Sequence, residues 1–200
     1  MPDIPNVGVH LARNTISWSR RIDAPVDRVW EATTKKKHLD EWYMAEDQTE
    51  FWLGGKHTWW QGGTVDEFEL MRGFRLSMPS VNAWQRWAVE SHRDGTLFTF
   101  ADRLGDDFSF RPKEEAWEET RDGWRQLPGQ PVDQRQPGGL GTHWVGFAAG
   151  YHCFVDALDT YITGKSDGYG GHERLCELYD RWYDVFWAED GGGASLEYGD

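Results

Sequence analysis

The residues best placed to move a proton are Tyr151, His152 and Asp156. Four positions apart on a helix, His152 and Asp156 share a side, so the carboxylate can orient and charge the imidazole. A histidine held in this way is a competent general base for an enolisation or a ring closure. The plainer alternative is a surface contact at a helix edge. Tyr151 adds a phenol able to donate to a ligand carbonyl. A second set, Arg86, Glu90, Asp102 and Arg103, falls on two adjoining strand-like runs. Charges on an inward strand face are costly unless paired or used, and Asp102 joins His152 and Tyr151 as a suspect for proton transfer. Strand parity stays open here, so Arg86 either reaches a ligand or faces water. The seven histidines show no HxH, HxxxH or HExxH spacing, so no metal site is expected. With no GxSxG, phosphate loop or dinucleotide fingerprint, no cofactor is expected either.

These residues need elements to position them. The segment 141–164, GTHWVGFAAGYHCFVDALDTYITG, reads as one long helix. Its residues Trp144, Phe147, Tyr151, Phe154, Val155, Leu158 and Ile162 fall within an arc of roughly 140°, wide enough to lie against a sheet. His152, Asp156 and Asp159 line one flank, and Gly164 is placed to close the helix. Residues 14–23 alternate as a strand, with Ile16, Trp18, Arg20 and Ile22 on one side. Pro25, as a first helical residue, opens a short helix carrying Val26, Val29 and Trp30. A second short helix follows over 38–43. Then come a hairpin over 49–61 turning at Gly54-Gly55 and strand-like runs over 64–71, 74–78, 83–91 and 96–104. Asp94-Gly95 is hairpin chemistry. The pattern predicts an α+β fold: six or seven antiparallel strands, two short helices after the first strand, and a long helix after the last.

Bulk composition narrows the function. The chain has 200 residues and a net charge of −13, which disfavours nucleic acid and anionic membranes as partners. No apolar run reaches the roughly 20 residues of a membrane span. Cys153 and Cys176 are the two cysteines, too few for a disulfide framework. A reduced, cytoplasmic setting is expected. Thirteen Trp, ten Phe and seven Tyr are the unusual feature, fitting either a large core or a pocket for a flat apolar ligand.

Two stretches fall outside the simple plan. Residues 105–140 carry Pro112, Pro128, Pro131 and Pro137 and make a long connection, read as a lid with a brief helix around Trp117 and Trp124. After a linker at 165–171, residues 172–188 read as an amphipathic helix packed on the domain, with Leu175, Leu178, Tyr179 and Trp182 on one face. Residues 189–200 read as a flexible tail.

RIDAPVDRVWEATTKKKHLDEWY, LGGK at 53–56, DGTLFTFADRL and AAGYHCFVDALDTYITG together resemble the START-like superfamily (SRPBCC, Bet v 1-like). Within it they resemble the branch of the activator of the Hsp90 ATPase. The resemblance spans 14–104 and 141–164, within a domain of 1–164. It implies a helix-grip fold, a curved sheet wrapped around the long helix, with a cavity between them. It also implies binders of apolar molecules, polyketide cyclases and hydrolases, or chaperone-linked proteins. Tyr151 stands where the family has Trp, residues 105–140 replace a short turn, and the helix at 172–187 extends past the usual end.

Under this resemblance the cavity walls are Trp18, Trp59, Phe68, Trp84, Trp87, Phe98, Phe100, Val155 and Leu158 with Tyr151, and Arg86 is a polar contact. For each ring, core packing is an equal alternative. The expected function is binding of a small hydrophobic or aromatic, polyketide-like molecule, with or without cofactor-free cyclase or dehydratase chemistry. The alternative is a non-enzymatic interaction module, Hsp90-linked or stress-related. A homodimer through the 172–187 helix is compatible with both.

Overall fold

Alternation decides which side of the sheet is inner. In β2 (Thr15–Ile22), Ile16, Trp18, Arg20 and Ile22 are buried, whereas Thr15, Ser17 and Ser19 are partly exposed. That is the period-2 pattern of a strand with one face on a core. The computed structural model describes residues 7–12, 15–43, 48–105, 117–120, 123–126, 144–165, 178 and 195–197.

From β2 the chain enters two short helices, α1 (Val26–Thr34) and α2 (Lys36–Trp42). It then crosses to the far edge of the sheet and returns as a meander. The strands are β3 (Lys56–His57), β4 (Gly63–Glu69), β5 (Gly73–Met78), β6 (Ala83–His92) and β7 (Gly95–Arg103). β7 pairs antiparallel with β2, matching Trp18 with Phe100 and Arg20 with Phe98. On the other side of β2 lie β1 (Val7–Ala12) and then β10 (Ser195–Glu197), giving an eight-stranded antiparallel sheet. The long helix α3 (Trp144–Thr163) packs on β2, α1 and α2. Gly164 ends it with φ +69°, its N–H donating to the Thr160 carbonyl at 2.8 Å, the left-handed stop that glycine adopts without penalty. The fold is therefore α+β of the helix-grip kind, with its core between the curved sheet and α3.

Several local expectations are corrected. Strands β2–β7 form the expected curved sheet, and among the described residues β1 and β10 extend it beyond β2. β10 lies in the stretch read as a flexible tail. Around Trp117 and Trp124 there is no brief helix but a two-stranded hairpin, β8 (Trp117–Thr120) and β9 (Gly123–Gln126). The expected hairpin over 49–61 forms strand only at Lys56–His57; Gly54, at φ +88°, turns the chain beforehand. Pro25 is the N-cap of α1 and not its first residue. The linker, the helix at 172–188 and a lid role for 105–140 fall largely outside the described residues. Leu178, which is described, is fully buried in the core.

Candidate functional site

Gln85 on β6 and Asp102 on β7 are direct cross-strand partners on the inner face. Both are buried beneath α3, 0% and 1% exposed. Tyr151 comes down on them from the helix, and Gln85 Nε2 donates to its hydroxyl at 3.2 Å. Tyr43, just past the end of α2, donates its own hydroxyl to Gln85 Oε1 at 3.3 Å. Gln85 and Tyr151 in turn donate to the Asp102 carboxyl. The Gln85 amide thus lies with Nε2 toward Tyr151 and Asp102 and with Oε1 toward Tyr43.

Burial pushes Asp102 up to about 8, outweighing the two donors that pull it down. At neutral pH the group is therefore mostly protonated. Its Oδ2 has no hydrogen-bond partner among the described residues, as suits a carboxyl kept neutral by its surroundings. Burial also drives the Tyr151 phenol well above its ordinary value, with the Asp102 charge adding to the effect. Tyr151 is thus a neutral donor whose proton is committed to Asp102, and not one pointed at a ligand carbonyl.

An aromatic box surrounds the outer end of this chain of hydrogen bonds. The Tyr43 ring lies 5.0 Å from Trp87, 5.1 Å from Phe154, 5.3 Å from Trp59 and 5.4 Å from Trp42, centroid to centroid. Behind the box Trp87 meets Phe100 at 5.3 Å, and Trp18 stacks on Phe100 at 5.2 Å. The cavity left among Tyr43, Trp87, Phe98, Phe100 and Val155 is only about 10 Å³, room for one water at most. Among the described residues, aromatic side chains fill this part of the space between sheet and helix. Just outside, between the end of α2 and α3, lies a cleft of about 450 Å³ bordered by Asp40, Glu41, Ala157 and Tyr161. Trp42, Tyr43 and Phe154 border both spaces and form the partition between them.

A second polar cluster joins sheet to helix further along β2. Arg20 reaches Asp156 in a close ion pair and Asp159 at 3.2 Å. The carboxylate expected to orient His152 is thus engaged by the sheet. His152 itself is buried, 2% exposed, on the side of α3 that carries Asp156.

The remaining expected residues divide between the two faces of the sheet. Trp59, Trp87, Phe98, Phe100 and Val155 border the box or its residual cavity. Trp18 packs on Phe100 and on Tyr151, and Leu158 is fully buried in the core. Phe68 packs against Trp30 of α1 at 5.9 Å. Trp84 and Arg86 are corrections: both lie on the outer face. Ala83, Gln85, Trp87 and Val89 are buried, so the residues between them point the other way. Arg86 is exposed and paired with Glu67 at 3.1 Å. Trp84 and Trp87, three apart on one strand, cannot share a face. Gln85, Tyr43 and Phe154 were missed as site residues. Once Trp87 is set inward, alternation puts Gln85 beside it; nothing local marks Tyr43. Among the described residues no group of three or more His, Cys, Asp or Glu is placed to hold a metal. No described helix is long and apolar enough to cross a membrane.

No protein-family model matches the sequence, and no curated protein matches it either. Solved structures do. The crystal structure of CalU16 from Micromonospora echinospora is similar over 89% of this chain and 94% of its own, at TM-score 0.55 and 18% identity. Its solution structure gives TM-score 0.56 at 17% identity, over 92% of this chain and 96% of that one. EF2215 from Enterococcus faecalis, a conserved protein of unknown function, is similar over 86% of each chain at TM-score 0.54 and 14% identity. The Aha1 dimer from Colwellia psychrerythraea overlaps 48% of this chain at TM-score 0.37, too slight a likeness to place it in that branch. At these identities the likeness extends to architecture and no further: this chain has a helix-grip fold.

Proposed function

We propose that this protein binds a small hydrophobic or aromatic molecule where the α2–α3 cleft meets the aromatic box. The observation that carries this reading is the hydrogen-bonded chain from Tyr43 through Gln85 to Tyr151 and Asp102. Apolar walls with a few oriented polar groups are the usual make-up of a small-molecule site. A carboxyl that is buried, neutral and incompletely bonded is an expensive thing to keep in a purely structural core. Here it sits two hydrogen bonds behind a residue that borders an open cleft. The cleft's volume of about 450 Å³ falls within the range of small-molecule sites.

Binding is the primary activity in this reading. An acid–base step of the cyclisation or dehydration kind would draw on the same cluster, with Asp102, protonated at neutral pH, as the source of the proton. It would require no cofactor. His152 lies one turn from Asp156 on the clamped side of α3.

The test is a titration of the protein with polycyclic and polyketide-like aromatic probes, followed by quenching of its tryptophan emission. Saturable binding at one site is expected, weakened about tenfold or more in Tyr151→Ala, because the loss of Tyr151 frees Gln85 to turn. A full panel of such probes giving no saturable signal with folded protein would refute the reading.

A further inference from the structure

Tyr43 occupies the box as a guest would. Its ring is enclosed by Trp42, Trp59, Trp87 and Phe154, and its hydroxyl meets the polar chain at Gln85 Oε1. With Tyr43 seated, the space behind it shrinks to about 10 Å³. Were it withdrawn, the volume of a phenol ring would open and merge with the cleft of about 450 Å³ outside.

The geometry also fixes what a replacement must offer. Gln85 Nε2 is committed to Tyr151 and Asp102, and the Tyr151 hydroxyl is committed to Asp102. The group left facing the box is Gln85 Oε1, which can only accept. A guest must therefore bring a donor. A carboxylate would find no donor there and would sit close to Asp102, and an ether or ketone would leave Oε1 unsatisfied at a cost.

From this placement we infer that Tyr43 is an internal plug, and that the ligand is a hydroxylated aromatic which displaces it and donates its phenol to Gln85 Oε1. This rests on the binding site proposed above and names its ligand class. The flat walls of the box accept the ring, and the phenol reproduces the hydrogen bond that Tyr43 gives up. Displacement lowers the apparent affinity by the fraction of molecules in which the plug is seated.

The experiment compares 2-naphthol with its methyl ether, 2-methoxynaphthalene, by calorimetry on wild type, Tyr43→Ala, Tyr43→Phe and Tyr43→Ala/Gln85→Leu. Tyr43→Ala is expected to bind 2-naphthol about tenfold tighter than wild type, since the plug no longer competes. It should prefer the naphthol to the ether by about tenfold, the worth of one hydrogen bond to a buried acceptor. That preference should vanish with Gln85→Leu. p-Cresol, the tyrosine side chain as a free molecule, should raise the melting temperature of Tyr43→Ala and leave wild type unchanged.

If Tyr43→Ala fails to fold, Tyr43→Phe decides the matter. It keeps the ring and drops the hydrogen bond, and should bind 2-naphthol about threefold tighter than wild type. Unchanged naphthol affinity in the folded variants would overturn the plug. Equal binding of naphthol and ether in all proteins would overturn the ligand class, yet leave the binding site standing. No saturable binding of either probe to any folded variant would overturn the site as well.

Discussion

Two polar clusters lie between the sheet and the long helix, and they are built on opposite principles. Arg20 with Asp156 and Asp159 is a clamp of one cation between two carboxylates, joining β2 to α3 by two ion pairs. Asp102 with Gln85, Tyr151 and Tyr43 has no cation in it and leaves one carboxyl oxygen unbonded among the described residues. Both come from inward positions of neighbouring strands, so strand geometry does not explain the difference. The partners do. A buried charge with its counter-charge holds two elements together, whereas a buried carboxyl without one must stay neutral. The first arrangement is a joint. The second stores a proton and a set of directed donors beside an aromatic box, and only that cluster connects to the cleft.

Breaking the clamp should produce the largest effect. Asp156→Ala leaves the Arg20 guanidinium with Asp159 alone, and unfolding by urea should show a loss of about 2–3 kcal/mol, the worth of one charge-assisted hydrogen bond in a buried setting. A loss below about 1 kcal/mol would mean that the clamp is no stronger than an exposed ion pair.

The neutral cluster should respond to pH. Asp102 sits at about 8 in the folded protein against an ordinary carboxylate value of 3.8. Between those values the folded state holds a proton that the unfolded state has lost. The contribution of Asp102 to stability is therefore complete below about pH 4, declines as pH rises, and is gone once the folded group ionises above about 8. Asp102→Asn should remove that decline and melt about 4 °C or more above wild type at pH 9, with a smaller difference at pH 5. Parallel melting curves for the two proteins from pH 5 to 9 would show that Asp102 does not titrate in this way.

The smallest effect is expected outside both clusters. Arg86 pairs with Glu67 on the outer face, so Arg86→Ala should change stability by no more than about 0.5 kcal/mol and leave probe affinity unaltered. A drop in affinity would return the outer face of β6 to the site.

Much of the scaffold was legible before any coordinates. The inward set Ile16, Trp18, Arg20 and Ile22 follows from alternation alone, and the span of α3 from its apolar arc and terminal glycine. Asp102 and Tyr151 could be singled out because a carboxylate in a strand full of aromatic residues and a tyrosine on a helix's apolar arc each break a pattern. Parity on β6 was not legible: the strand carries Trp on both faces, so hydrophobicity gives no sign of which side is inner. β10 escaped because its partner β1 lies almost the whole chain away, whereas β1 is a short edge strand hairpinned onto β2.

The sequence by itself determined the order of elements, the helix-grip architecture and the aromatic character of the interior, because periodicity and turn chemistry act over a few residues. Tertiary structure alone decided that Asp156 answers Arg20, that Gln85 links Tyr43 to Asp102, and that a tyrosine fills the place where a cavity was expected. Those outcomes depend on which side chains meet across strands and helices distant along the chain, and on the dielectric in which they meet. No local pattern encodes either.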